Sequence, residues 1–203
     1  METDENDNGK LDEAQSLQVI REMIEVSRKK LQNDGILVIL WGYALCYSAL
    51  SRFLISKILF SNAQIRSFKF TGTMLTVFVL AYTVYYLWNQ RKKVQTYIGI
   101  SLRWVWFSTV FSMALINLIQ NNILHNINFE LQHPIFMVVI AFAVLVTGGI
   151  LRYKLMIAMG ILFGLLAYFC SFFELHLQLL FEAIAWFLAF CIPGHILYAR
   201  KTK

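Results

Sequence analysis

The segment 177-LQLLFEAIAWFLAFCIPGHILY-198 is an apolar run of 22 residues that contains one acidic residue, Glu182. About 20 predominantly apolar residues suffice to cross a hydrocarbon core of about 30 Å, so this run predicts a membrane-spanning helix. A carboxylate inside such a helix is costly unless another polar group pairs with it. The position of that partner therefore decides how the other helices pack.

The composition of the whole chain supports the same placement. Hydrophobic residues make up 58% of the 203 residues and charged residues 15%, whereas soluble domains contain about 25% charged residues. Further apolar runs cover residues 36–55, 70–88, 100–118, 134–151 and 155–173. We therefore predict an all-α, polytopic membrane protein, with six transmembrane helices forming one bundle over residues 34–199.

The segment before the first apolar run divides into two parts. Residues 1–10 are acidic and poor in apolar side chains, which predicts disorder. Residues 11–33 show helical periodicity, with Leu17, Ile20 and Ile24 on one face and charged residues on the other, as in an amphipathic helix. This helix either lies on lipid headgroups at the cytoplasmic surface or, through residues 11–31, docks another protein or a second copy of the chain.

The basic residues predict the orientation of the chain. The formal charge of +6 could indicate nucleic-acid binding, but the basic residues lie between apolar runs, and we predict no nucleic-acid partner. Fourteen of them fall on one side of the predicted membrane and four on the other. Because cytoplasmic loops are enriched in Lys and Arg, both termini are predicted to be cytoplasmic, including the basic tail at 200–203.

The predicted partner of Glu182 is Arg52. Both residues lie a few residues inside the outer ends of their spans, at similar depths of about 5 to 8 Å. We expect an ion pair that ties the first span to the sixth. In the alternatives, each side chain extends separately to the outer surface, or Glu182 is protonated. An intramembrane carboxylate can also mark a proton or cation path, so Glu182 with Arg52 is the candidate site for transport as well.

Metal binding and catalysis receive little support. His125, His133, His176 and Glu174 all fall in predicted outer loops and carry groups that bind zinc. Their spacing matches no recognised ligand motif. We therefore predict no metal and no cofactor. The sequence also contains no nucleophile elbow and no phosphate-binding loop, so we predict no enzymatic activity.

Two glycine-containing motifs bear on helix packing. Gly160 and Gly164 are four residues apart, a spacing that allows two membrane helices to approach closely, either within the chain or between subunits. Pro193 lacks the backbone N–H that a continuous helix would use. Together with Gly194, it predicts a kink in the last span near residues 189 and 190.

Two short motifs resemble those of a known family. LWGY at residues 40–43 follows the amphipathic helix, and IPGHIL at 192–197 precedes the basic tail. Together they resemble a family of small, uncharacterised polytopic membrane proteins of bacteria. The resemblance implies a six-helix layout in the bacterial inner membrane, and it implies no activity.

The function predicted from these observations is that of a non-enzymatic interaction or accessory component in the membrane, with lipid and other protein subunits as its partners. The alternative is a small transporter or ion-conducting protein that uses Glu182. A hydrated cavity lined by Glu182, Tyr47, Ser48 and Arg52 would favour transport. A closed, aromatic-filled bundle would favour the accessory role.

Overall fold

A computed structural model describes residues 35–58, 61–91 and 97–201, together with Gln15, Leu17 and Gln18. These three N-terminal residues are helical and exposed. The predicted acidic tail at 1–10, the remainder of the predicted amphipathic helix at 11–33, and residues 202–203 lie outside the described residues.

Every regular element in the described ranges is helical, which confirms the all-α fold class for this part of the chain. The helices are α1 Gly35–Lys57, α2 Asn62–Arg91, α3 Tyr97–Leu124, α4 Phe129–Ile150, α5 Lys154–Cys170, α6 Leu175–Trp186 and α7 Ile192–Lys201. A π-helical turn, Phe187–Cys191, joins α6 to α7. We call this continuous unit the C-terminal rod.

Five helices in the described ranges are long and apolar enough to cross a membrane: α1, α2 as far as Tyr86, α3, α4 and the C-terminal rod as far as Ala199. Helix α5 is apolar but has 17 residues, which is the lower limit for a span of about 17 to 25 residues. Six spans were predicted. Length and composition thus support five of them, and α5 lies where the remaining one was expected.

Several boundaries differ from the predicted ones because polar residues cap the helices. Helix α2 begins at Asn62 rather than at residue 70. Before it, the Gln64 side chain accepts from the Ser61 N–H at 3.0 Å, and the Ser61 hydroxyl accepts from the Gln64 N–H at 3.4 Å. This reciprocal pair is a capping box. Helix α5 ends at Cys170, short of the predicted residue 173.

The core lies between α4, α5 and the C-terminal rod, and α1 packs along the rod. Aromatic rings fill its centre: Phe163 and Trp186 have ring centroids 5.4 Å apart, and Trp186 and Phe190 4.9 Å. Trp106 of α3 meets Phe190 with centroids 5.9 Å apart. Aromatic side chains therefore pack against one another between these helices.

Helices α2 and α3 lie at the periphery. α2 packs on α1 and α3 packs on α4, and only 6% of the apolar window of each is buried, against 39% for α4 and 44% for the C-terminal rod. Their remaining faces expose large apolar side chains such as Phe78, Val110 and Leu118. Such surface suits contact with lipid or with another protein.

Candidate functional site

Glu182 lies in α6, and its carboxylate meets groups from three helices. Its Oε1 atom is 3.7 Å from Arg52 Nη2 of α1 and accepts from Trp186 Nε1 at 3.3 Å. Its Oε2 atom is 3.1 Å from His133 Nδ1 of α4. We call Glu182, Arg52, His133 and Trp186 the carboxylate cluster. The Glu182 side chain is only 14% exposed, so these groups replace the water that a carboxylate would otherwise bind.

Arg52 is the outermost member of the cluster. α1 runs antiparallel to the C-terminal rod, which brings the C-terminal end of α1 beside the start of α6. The Nε atom of Arg52 donates to the Ser48 carbonyl at 3.2 Å, so the side chain lies back along its own helix. The Arg52 side chain remains 47% exposed, and the contact of its guanidinium with Glu182 is an ion pair longer than a hydrogen bond.

His133 corrects the sequence prediction in two respects. The sequence predicts an outer loop at this position and offers His133 as a candidate metal ligand. In the structure His133 lies inside α4, which begins at Phe129 rather than at Pro134. The Asn128 side chain caps this helix by accepting from the Leu131 N–H at 3.2 Å. Pro134 is therefore buried inside α4 instead of in its first turn. Asn128 is a preferred N-cap residue, and it is the sequence signal that would have located the start of α4.

Buried amide side chains occupy the same ends of the helices as the carboxylate cluster. The Gln132 amide of α4 donates to the Asn117 side-chain oxygen of α3. Gln178 Nε2 of α6 donates to the Phe173 carbonyl in the α5–α6 turn at 2.9 Å. Gln120, Gln132 and Gln178 are all buried. The sequence does not single out these three glutamines, because isolated amides in apolar runs form no motif.

The remaining metal candidates do not converge. His176 Nδ1 is 3.2 Å from Glu174 Oε2, His125 lies in the turn after α3 with a φ of 50°, and His133 faces Glu182. No group of three or more His, Cys, Asp or Glu side chains that could hold a metal ion occurs among the described residues.

The two motifs that carried the family resemblance contact each other. Gly42 of α1 lies against the π-helical turn, where an added Cβ would come within 2.8 Å of Phe190 Cβ. Gly194 of α7 lies as closely against Ile39 of α1. The hydroxyl of Tyr43 and Nε2 of His195 are 3.0 Å apart. The motifs therefore form one helix–helix interface, at the opposite end of α1 from Arg52.

The predicted kink site is the π-helical turn. The Ile192 N–H bonds to the Phe187 carbonyl, five residues back, and the turn contains both predicted positions, Ala189 and Phe190. Pro193 follows directly, so its missing N–H and its ring fall where the helix is already widened. Gly194 then lets α7 approach α1.

The glycine pair in α5 packs inside the chain. An added Cβ at Gly160 would come within 2.9 Å of Leu145 Cγ in α4, while at Gly164 the nearest atom is Ala141 Cβ at 3.6 Å. Gly160 is therefore the position where α4 and α5 need a glycine. The glycine spacing allowed packing either within the chain or between subunits, and the structure shows the contact within the chain.

Two of the cavities among the described residues lie near the helix ends that carry the carboxylate cluster. One, of about 270 Å³, is lined by residues including Glu130, Glu174 and His176. The other, of about 580 Å³, lies between α1 and α2 and is lined by residues including Ser48, Arg52 and Lys69. We call it the α1–α2 cavity. Glu182 lines neither cavity.

Fold and site together define a helical protein with several helices apolar enough for a membrane and a buried carboxylate cluster near one end of them. No protein-family model, no curated protein and no solved structure matches the chain. The family resemblance of the two short motifs therefore stays a prediction.

Proposed function

We propose that the chain is an integral protein of the bacterial inner membrane and acts as a non-enzymatic interaction or accessory component. In this proposal six helices cross the bilayer as one bundle, both termini are cytoplasmic, and an interfacial amphipathic helix precedes the first span. Support for the even number of crossings comes from α1 and α7. Gly35 at the start of α1 lies against Gly194 and Leu197, so these two ends are on the same side.

The observation that carries the proposal is the set of close contacts around the Glu182 carboxylate. Its Oε1 atom lies 3.7 Å from Arg52 and 3.3 Å from Trp186, and its Oε2 atom lies 3.1 Å from His133. Glu182 does not line the two cavities described above. A carboxylate that binds and releases a transported ion needs a path to water. One that is held by three groups and packed beside an aromatic core instead ties helices together. This favours a scaffold over a conducting protein.

The alternative, a small transporter, is supported by one observation. Ser48 and Arg52, two of the residues expected in a transport cavity, do line the α1–α2 cavity. A proton-flux measurement on the full chain in liposomes distinguishes the two functions. We expect flux equal to that of empty liposomes, both for the native chain and for Glu182→Gln. Flux that the native chain supports and Glu182→Gln abolishes would establish the transporter instead.

A second experiment tests the interaction itself. A photo-crosslinking amino acid at Leu17, which is exposed in the N-terminal segment, should give a discrete protein adduct in intact cells, either with a second copy or with another protein. The matched position is Phe111 of α3, also exposed, where we expect lipid adducts. If Leu17 gives lipid adducts only, the docking role of residues 11–31 is wrong.

A further inference from the structure

The α1–α2 cavity has the chemistry of a binding site. At about 580 Å³, it is within the range of about 300 to 1,000 Å³ that small-molecule sites occupy. Arg52 and Lys69 line it, and none of its described lining residues is Asp or Glu. Five hydroxyl-bearing residues also line it: Ser48, Ser51, Ser56, Thr73 and Thr76. An anion is the ligand that this charge distribution attracts.

Both cations have capacity left for a ligand. Arg52 has five N–H donors; the described contacts are one hydrogen bond from Nε and the 3.7 Å ion pair to Glu182. Glu182 lies closer to its other partners, His133 and Trp186, than to Arg52. Lys69 is exposed and makes no ion pair with any described residue. Each cation therefore keeps N–H donors for a phosphate group while the carboxylate cluster stays intact.

The hydroxyls add a second recognition element. Ser51, Thr73 and Thr76 each donate to a carbonyl of their own helix at 2.9 to 3.1 Å. Because their protons are used in these bonds, the oxygens of these lining residues remain available as acceptors, which suits hydroxyl groups on a ligand. A ligand that carries a phosphate together with hydroxyls satisfies the cations and the acceptors at once.

The depth of the cavity favours a lipid. α2 has 30 residues and is therefore about 45 Å long, longer than the hydrocarbon core of about 30 Å. Lys69 lies about 10 Å from the start of α2 and directly precedes the apolar run at 70–88, so it is at the edge of the apolar stretch. Val77 and Ile55 form apolar walls of the cavity, and Val77 is exposed, so acyl chains can lie against the opening.

We propose that the α1–α2 cavity binds the headgroup of an anionic, hydroxylated phospholipid, with Arg52 and Lys69 contacting its phosphate. This inference rests on the membrane placement proposed above but not on the accessory role. Gly72 lies at the cavity wall, and a Cβ added there would meet only Tyr47 Cε1 at 3.7 Å. The first carbon of a larger side chain therefore fits at this position, and the rest of the side chain would occupy cavity volume.

The test is native mass spectrometry of the full chain in an uncharged detergent, titrated with phosphatidylglycerol or phosphatidylethanolamine. We expect saturable binding of phosphatidylglycerol, about five-fold weaker binding for Lys69→Ala, and none for Gly72→Leu. Arg66→Ala is the matched control, because Arg66 is an exposed cation on the same helix that does not line the cavity. It should bind like the native chain.

Three results would overturn the inference. The first is equal binding of the two lipids. The second is an equal loss for Arg66→Ala and Lys69→Ala, which would indicate only general surface attraction. The third is binding of free glycerol 3-phosphate at the same concentrations without preference for phosphatidylglycerol, which would assign the cavity to a soluble phosphate. Unfolding temperatures measured without lipid show whether each variant is folded. The unfolding temperature of Lys69→Ala should equal that of the native chain, because the Lys69 side chain is exposed.

Discussion

Replacing Gly42 with alanine tests whether α1 and the C-terminal rod are in direct contact. The added Cβ would lie 2.8 Å from Phe190 Cβ, 2.9 Å from Cys191 Sγ and 3.0 Å from the Cys191 backbone nitrogen. The backbone fixes the first and third of these atoms, so the variant must separate the helices. Overpacking of this kind costs about 1 to 3 kcal/mol, and alanine in a helix recovers about 0.5 to 1 kcal/mol. We expect a net loss of about 1 kcal/mol.

The free energy of unfolding, measured by titration with sodium dodecyl sulfate in mixed micelles, gives this loss directly. Gly149→Ala is the matched control, because an added Cβ there meets no atom within 4 Å. It should leave stability unchanged or raise it by up to about 1 kcal/mol. If Gly42→Ala is as stable as Gly149→Ala, the close approach of the two motifs is wrong.

Three further predictions concern the carboxylate cluster, the orientation and the α1–α2 contact. His133→Leu leaves a buried carboxylate oxygen without its nearest partner and should cost about 1 to 3 kcal/mol in the same titration. Arg52→Leu removes a half-exposed partner and should cost no more than about 1 kcal/mol; equal losses would contradict this ranking. In whole cells, a membrane-impermeant maleimide should label Asn126→Cys and should label Arg152→Cys only after permeabilisation, and the reverse pattern would invert the proposed orientation. Thr83→Val removes the acceptor of the 3.0 Å indole hydrogen bond from α1 and should cost about 1 kcal/mol, whereas an unchanged stability would mean that this bond contributes nothing.

The sequence could predict features that depend on composition and on depth. Apolar length predicted helical spans, and the similar depth of Arg52 and Glu182 predicted their pairing; the structure brings the two side chains within 3.7 Å. The position of Pro193 predicted a disturbance at residues 189 and 190, where the π-helical turn lies. Each inference used a single physical rule applied to one or two residues.

The partners of Glu182 could not all be predicted, because they depend on rotation about helix axes and on exact helix starts. His133 was missed when α4 was started at Pro134, five residues too late. The start of α2 was missed because the Ser61 and Gln64 capping box lies in a polar stretch that hydropathy treats as loop. The contact between the two short motifs needed the antiparallel register of α1 and the C-terminal rod, which no local pattern encodes.

The long separation of the cluster members along the chain has a consequence for biogenesis. Arg52 precedes Glu182 by 130 residues, so α1 enters the bilayer well before its ionic partner has been synthesised. Until then the guanidinium must rely on headgroups and water. Insertion of the C-terminal rod therefore completes the assembly. A chain truncated before the rod would carry Arg52 without its carboxylate and would leave the packing face of α1 uncovered. Membrane quality control could recognise an unfinished protein by these two features.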